Sequence, residues 1–458
     1  MELTGNPLIK RAFKSRWPQW LVYAFLLPMF LFAIYAGFGG TPVGNRNFGI
    51  VFVWIAWWAI LILVAVPLFG RGWCAVCPIP LPGEWLQRGA LLDPPAGATE
   101  VKGRWLNLRW PNKLRNIWLQ NASFLLVALF SSVILTTPYV SAVVLAAMLF
   151  LALGMSLIFE RRSFCRYLCP VGGFIGLYAQ TSPIELRVKD RAVCARCKDK
   201  PCYNGSAAGY GCPWQVFPGG LSKNTYCGLC MECLRTCPSD NIAVNTRPFA
   251  ADLSRPSARL DEAYKAFIML GAAMIYAAVL LGSWGSLKSA AYQVGSPAWF
   301  VYLAVFLAII LVALPGIYWL VVQWAKLWRP KGVSTTGASG KKLASRQDFS
   351  RLSTVLIPLG LGFWIAFSLS FVLTNGSYVL MTLSDPLGWG WNLFGTAQTA
   401  WQPVLSSALP LMQSLVLVGG LVWSVRTAQK AASEMVVSAV PVSVFCLAAT
   451  LVMSWLLL

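Results

Sequence analysis

Histidine is missing from all 458 residues, and acidic residues number 16 against 37 Lys and Arg. Without imidazole the chain can build no CxxCH haem attachment, no bis-His haem between helices, no Rieske centre and no His general base. Charge is scarce as well: Asp, Glu, Lys and Arg make up 12%, against about 25% in soluble proteins. What the chain has instead is apolar bulk, 57% of residues and a mean hydropathy of +0.62. Its apolar runs reach the roughly 20 residues that cross a bilayer core, so composition predicts a polytopic membrane protein. The formal charge of +21 sits between those runs, as cytoplasmic loops require, and no nucleic-acid partner is expected.

Nine apolar segments can be read, at 20–38, 49–70, 117–136, 140–159, 264–284, 298–324, 353–373, 404–425 and 435–458. Lys10, Arg11, Lys14 and Arg16 precede the first, which reads as a retained anchor with a cytoplasmic amino terminus. Threading nine spans from that start leaves only Arg46 and Lys288 in outside loops and puts the carboxyl terminus outside. The expected fold class is therefore membrane all-α, about nine transmembrane helices with an inserted cytoplasmic two-cluster ferredoxin-like (α+β) domain. Domain boundaries are expected at 1–188 (four helices and two Cys-Pro motifs), 189–250 (ferredoxin-like) and 251–458 (about five helices). The outside segment 375–403, with Trp389, Trp391, Phe394 and Trp401, is too apolar for an ordinary loop; it reads as interfacial or re-entrant, or else as a docking surface. The linker at 334–340 reads as flexible. Its Thr336-Gly337-Ala338-Ser339 only faintly echoes a covalent flavin attachment motif, lacking the final Thr and lying on the wrong face.

Cysteine is where the sequence becomes specific. Cys227, Cys230, Cys233 and Cys237 followed by Pro238 repeat the bacterial ferredoxin spacing CxxCxxCxxxCP, and upstream stand Cys194, Cys197, Cys202 and then Cys212-Pro213. Short spacings wrap one face of a cluster, and a distant Cys-Pro closes the fourth corner of the neighbouring one. On that logic Cys194, Cys197, Cys202 and Cys237 hold one [4Fe-4S] cluster, and Cys212, Cys227, Cys230 and Cys233 hold a second. Four-cysteine zinc sites come as two separated CxxC pairs, a division this run does not make. The first half departs from the compact repeat through the insertion 203–211, with its three glycines.

A third set is less regular. Cys74 and Cys77 with Pro78 follow the second apolar segment, and Cys165 and Cys169 with Pro170 follow the fourth, both at the cytoplasmic face. Together they could ligate a third iron–sulfur cluster; the alternatives are redox-active dithiols or small buried packing residues. Cys446, alone between Phe445 and Leu447, reads as packing.

Two Cys-Pro motifs at helix ends, CxxCP and CxxxCP, followed by a paired ferredoxin motif over about 49–244, resemble the NapH and NosR family of membrane polyferredoxins. The resemblance implies an iron–sulfur electron-transfer subunit of a respiratory or redox complex in the bacterial inner membrane, linked to a quinone pool or a cytoplasmic donor. It implies redox partner subunits, such as a multihaem cytochrome or reductase, besides membrane lipid. Arg196, Lys198, Lys200, Lys223 and Arg235 around the clusters would favour their reduced forms or attract an acidic ferredoxin. Glu84 and Asp385 are the acids available for quinone protons. A second class of function is a membrane-bound assembly factor that reduces a metal or thiol. A third, a transporter with a regulatory ferredoxin, is disfavoured by the near absence of charge within the spans.

Overall fold

The structure is a computed structural model that describes residues 1–94, 105–255, 259–328 and 345–458. The linker at 334–340 and its flavin-like run lie outside the described residues. The chain divides into two units: Met1–Gly40, Val64–Ser123 and Tyr139–Asp252 form the first, and Thr41–Leu63, Phe124–Pro138 and Leu253–Leu458 the second.

Among the described residues eight helices are long and apolar enough to cross a membrane: Trp17–Gly39, Phe48–Phe69, Pro138–Ile158, Leu260–Leu281, Pro297–Leu327, Arg346–Asn375, Leu409–Met435 and Val440–Leu457. The segment expected at 117–136 differs. It forms a helix Trp118–Leu129 and a short turn Ser131–Ile134, separated at Phe130, whose backbone (φ −99°, ψ 6°) leaves the helical region. The pair Ser131 and Ser132 follows directly, the kind of small polar pair at which helices kink. Nine expected spans thus become eight of membrane length and one shorter apolar helix.

The first unit carries every cysteine except Cys446. Asn6 caps helix Pro7–Lys14, its Oδ1 accepting from the N–H groups of Leu8 and Ile9. Two strands bracket the cysteine-rich stretch, β1 (Ile184–Val188) and β2 (Ile242–Thr246), antiparallel with Leu186 opposite Val244. The amino terminus extends this ladder, Leu3 N donating to Val244 O at 2.8 Å. Leu186, Leu221, Leu229, Leu234, Ile242 and Val244 form a small core that also takes in Cys202 and Cys233. Buried Asp252 accepts from Arg187, Arg247 and the backbone of Asn224, which ties both strands to the loop before Cys227.

In the second unit Arg346–Asn375 is the most buried helix. Trp364 Nε1 donates to Met269 O at 2.9 Å, and Gln413 Nε2 donates to Ala366 O and Ser370 Oγ at 2.9 and 2.6 Å. Gly362 meets Gly420, where an added Cβ would lie 3.3 Å from the facing Cα; small residues allow such close helix contact. Past helix Ser377–Ser384, Asp385 anchors a turn by accepting from Trp389 N and Gly390 N. Trp389, Trp391, Phe394 and Trp401 are exposed. Cys446 is fully buried in Val440–Leu457.

Candidate functional site

At Cys212, Cys227, Cys230 and Cys237 the backbone turns N–H groups toward the sulfur. In the run 227–237, Leu229 (φ 50°) and Met231 (φ 62°) adopt the left-handed region, which folds successive N–H groups onto one side. The N–H of Leu229 reaches the Cys227 sulfur, and that of Glu232 reaches Cys230. Cys212 is served likewise by Trp214 N and, at 3.4 Å, by Val216 N. The insertion 203–211 makes this return possible: Ser206 bridges Gly209, and Gly205 (φ 101°) and Gly211 (φ 73°) take conformations that L side chains rarely adopt. Arg161 Nη1 donates to Cys212 O at 2.8 Å, and Arg166 holds the carbonyls of Trp214 and Gln215.

The thiols group crosswise. Cys202 lies within electrostatic reach of Cys237, Cys194 and Cys197, while Cys227 and Cys230 both feel Cys212, and Cys233 feels Cys227, Cys230 and Cys212 and also Cys202 of the other set. Asn241 organises the first group: its Nδ2 donates to Cys194 Sγ at 3.3 Å and to Asp190 O, and its backbone N–H donates to Cys237 Sγ at 3.3 Å. Nothing in the spacing of the cysteines marks this residue; its position four places after Cys237 was the available signal.

The four cysteines at the helix exits also come together. Cys74 lies on the short helix Gly72–Val76, with Cys77 as its C-cap, while Cys165 lies on Ser163–Tyr167 and Cys169 is the N-cap of Pro170–Tyr178. Cys165 is within electrostatic reach of Cys169, Cys77 and Cys74. Cys169 Sγ accepts from Gly172 N at 3.2 Å. Gln120 Nε2 donates to Cys165 O at 3.0 Å, Ser123 Oγ to Leu168 O at 2.5 Å, and Arg162 Nη1 to Cys74 O. Arg162 in turn is paired with Glu84, which also accepts from Arg88. The pairing of Glu84 with Arg88 is visible in the sequence at helical spacing; the closer partner, Arg162, is not.

Burial is the main influence on these thiols. It raises Cys169 and Cys227 to about 11 and Cys202 and Cys230 to about 12, and it pushes Cys77, Cys165 and Cys233 well up. Among the described residues no three His, Cys, Asp or Glu side chains converge as a single metal ion would require. A four-iron cube asks for something different, one thiolate at each of four separated corners. Cys212, Cys227, Cys230 and Cys233 line one small cavity together with Leu186, Trp214, Val216, Pro218, Leu221, Tyr226, Gly228 and Met231. Residue types and sulfur-directed N–H groups fit such a group.

The 4Fe-4S binding domain model matches residues 50–111 and 141–189. The matched segments contain Cys74, Cys77, Cys165 and Cys169, the set with the less regular spacing. No curated protein and no solved structure shows a significant match to the chain. This match makes the chain an iron–sulfur protein, of a kind suited to electron transfer, and among the described residues eight helices are long and apolar enough to span a membrane.

Proposed function

We propose that the protein is a membrane-embedded iron–sulfur conduit with three cluster sites. Cys194, Cys197, Cys202 and Cys237 would hold the first, Cys212, Cys227, Cys230 and Cys233 the second, and Cys74, Cys77, Cys165 and Cys169 the third. A bound [4Fe-4S] cluster supplies one-electron transfer. The chain's own part is to fix the sites in sequence, shield them and set their potentials through N–H···S bonds and nearby charge. The observation that carries the reading is that all twelve motif cysteines lie within one unit, four of them in the segments that match the 4Fe-4S binding domain model.

The alternative of a dithiol reductant in assembly is less well supported. Such a reagent needs thiolate at ordinary pH, and burial works against that at Cys77, Cys165 and Cys169. Total iron, sulfide and EPR of the purified full chain test the choice. Twelve irons with all twelve motif cysteines protected from alkylation support the conduit. Eight irons with Cys74, Cys77, Cys165 and Cys169 open to alkylation would refute the third site.

We propose a donor and an acceptor from the surroundings. Arg196, Lys198 and Lys200 are exposed beside Cys197, a basic rim suited to an acidic one-electron carrier such as a ferredoxin. Beside Cys230 lies a second, small pocket, lined by Trp20, Tyr23 and Trp85, by Arg16, Arg88 and Arg162, and by Glu232. Its position at the start of the apolar helix Trp17–Gly39 suits a quinone ring entering from lipid. Placement in the bacterial inner membrane, with this unit's cysteines on the cytoplasmic side and a redox subunit as partner, completes the proposal.

A further inference from the structure

Arg71 is 2% exposed, and among the described residues no carboxylate pairs with it. Its Nη1 donates to Thr225 O at 2.7 Å and its Nη2 to Cys165 O at 3.4 Å, while Nε is buried without an acceptor. Thr225 stands two residues before Cys227, and Cys165 belongs to the helix-exit set. One guanidinium therefore braces the backbone of two different cysteine groups.

The helix Pro170–Tyr178 is cut to receive it. A Cβ at Gly176 would lie 3.1 Å from Arg71 Nη1, and one at Gly172 would lie 3.4 Å from Nη2. On its other side the guanidinium stacks over the ring of Trp214 at 4.2 Å. Trp214 is 1% exposed, and its Nε1 is packed so closely on Gly228, between Cys227 and Cys230, that any Cβ there would collide with it. Arginine and indole together fill the interval between the two groups.

An uncompensated buried cation is costly unless an anion faces it. Both flanking cysteine groups carry negative charge once ligated, and the charge of Arg71 acts on Cys169 of one and Cys227 of the other. We propose that Arg71 is a positioning residue shared by the second and third sites, whose single charge stabilises the reduced state of both and holds their potentials up together. The proposal rests on the three-site reading above.

The test is an EPR-monitored redox titration of the full chain. In Arg71→Gln the midpoint potentials of the second and third sites should both fall, that of the first should stay, and Arg71→Lys should recover most of the loss. Unchanged second and third potentials at full iron content overturn the proposal, as does an equal shift of all three. If Arg71→Gln does not retain iron, Gly176→Ala serves instead: it displaces the guanidinium without removing its charge and should lower the same two potentials, and no shift overturns the proposal. Should the wild-type protein hold only eight irons, the third site fails. Arg71 is then judged on the second site alone, where an unmoved potential refutes it.

Discussion

Arg162 and Glu84 form a buried ion pair, Nη2 lying 2.7 Å from Oε2 with neither side chain more than 3% exposed. The same guanidinium donates to the carbonyl of Cys74. A carboxylate on one segment thus fixes an arginine on another, and that arginine fixes the loop bearing the third cysteine set. Removing one member of a buried pair leaves the other charge uncompensated, at about 3–5 kcal/mol. Glu84→Gln should therefore lower the melting temperature of the detergent-solubilised protein markedly. Because the Cys74 loop loses its brace, iron loss on mild heating should begin at the third site.

The same pair sets an acid limit. Burial alone would raise the Glu84 carboxyl, but Arg162 and Arg88 outweigh it and hold the group below its ordinary value of 4.5. A folded-state value below the unfolded one means that the stabilisation is complete above the unfolded value and is lost as pH falls through the folded one. Melting temperature measured downward from pH 6 should drop across that acid range, and Glu84→Gln should flatten the drop. Equal slopes in the two proteins would remove Glu84 from the account.

How far these relationships could be read from the sequence depends on their range. The cysteine motifs are legible because CxxC spacing and Cys-Pro pairs are local, and so is Glu84 with Arg88, one helical turn apart. Arg162 lies 78 residues from Glu84, and Arg71 meets Thr225 across 154, so only folding reveals either contact. The break at Phe130 escaped for another reason: hydropathy counts apolar residues and is blind to where a helix kinks, so 117–136 read as one span.

Asn241 offers a separate test of the first site. Its Nδ2 donates to Cys194 Sγ, and hydrogen bonds to cluster sulfurs raise potential by easing the added negative charge. Asn241→Ala keeps the backbone N–H to Cys237 but deletes the amide. The first site's midpoint potential should fall while the second and third hold, as followed by EPR titration. The lost bond to Asp190 O should add a destabilisation of about 0.5–1.5 kcal/mol, visible as a lower melting temperature.

Cys446 supplies the contrast among the cysteines. It is fully buried in an apolar helix with no other cysteine beside it in sequence, so its contribution is packing. Cys446→Ala should leave iron content and every EPR signal unchanged and cost about 1 kcal/mol or less for one small buried atom. Loss of iron in this variant would mean that the twelve motif cysteines are not the whole ligand set.

The basic rim at Cys197 yields a kinetic prediction. Arg196, Lys198 and Lys200 are exposed, and only Asp199 interrupts them, so the field at this corner is positive and accelerates encounter with an acidic carrier. Reversing two of the charges, Arg196→Glu with Lys198→Glu, should slow reduction by a reduced acidic ferredoxin by about tenfold or more at low salt. Reduction by dithionite, a small reagent that needs no docking, should be nearly unaffected, which separates a docking defect from a damaged site. Raising ionic strength shortens the reach of these charges to about a Debye length, so the two proteins should converge in rate at high salt. If the charge-reversed protein instead accepts electrons from the ferredoxin as fast as the wild type at low salt, the carrier docks elsewhere, and the cavity beside Cys230 becomes the entry point to examine.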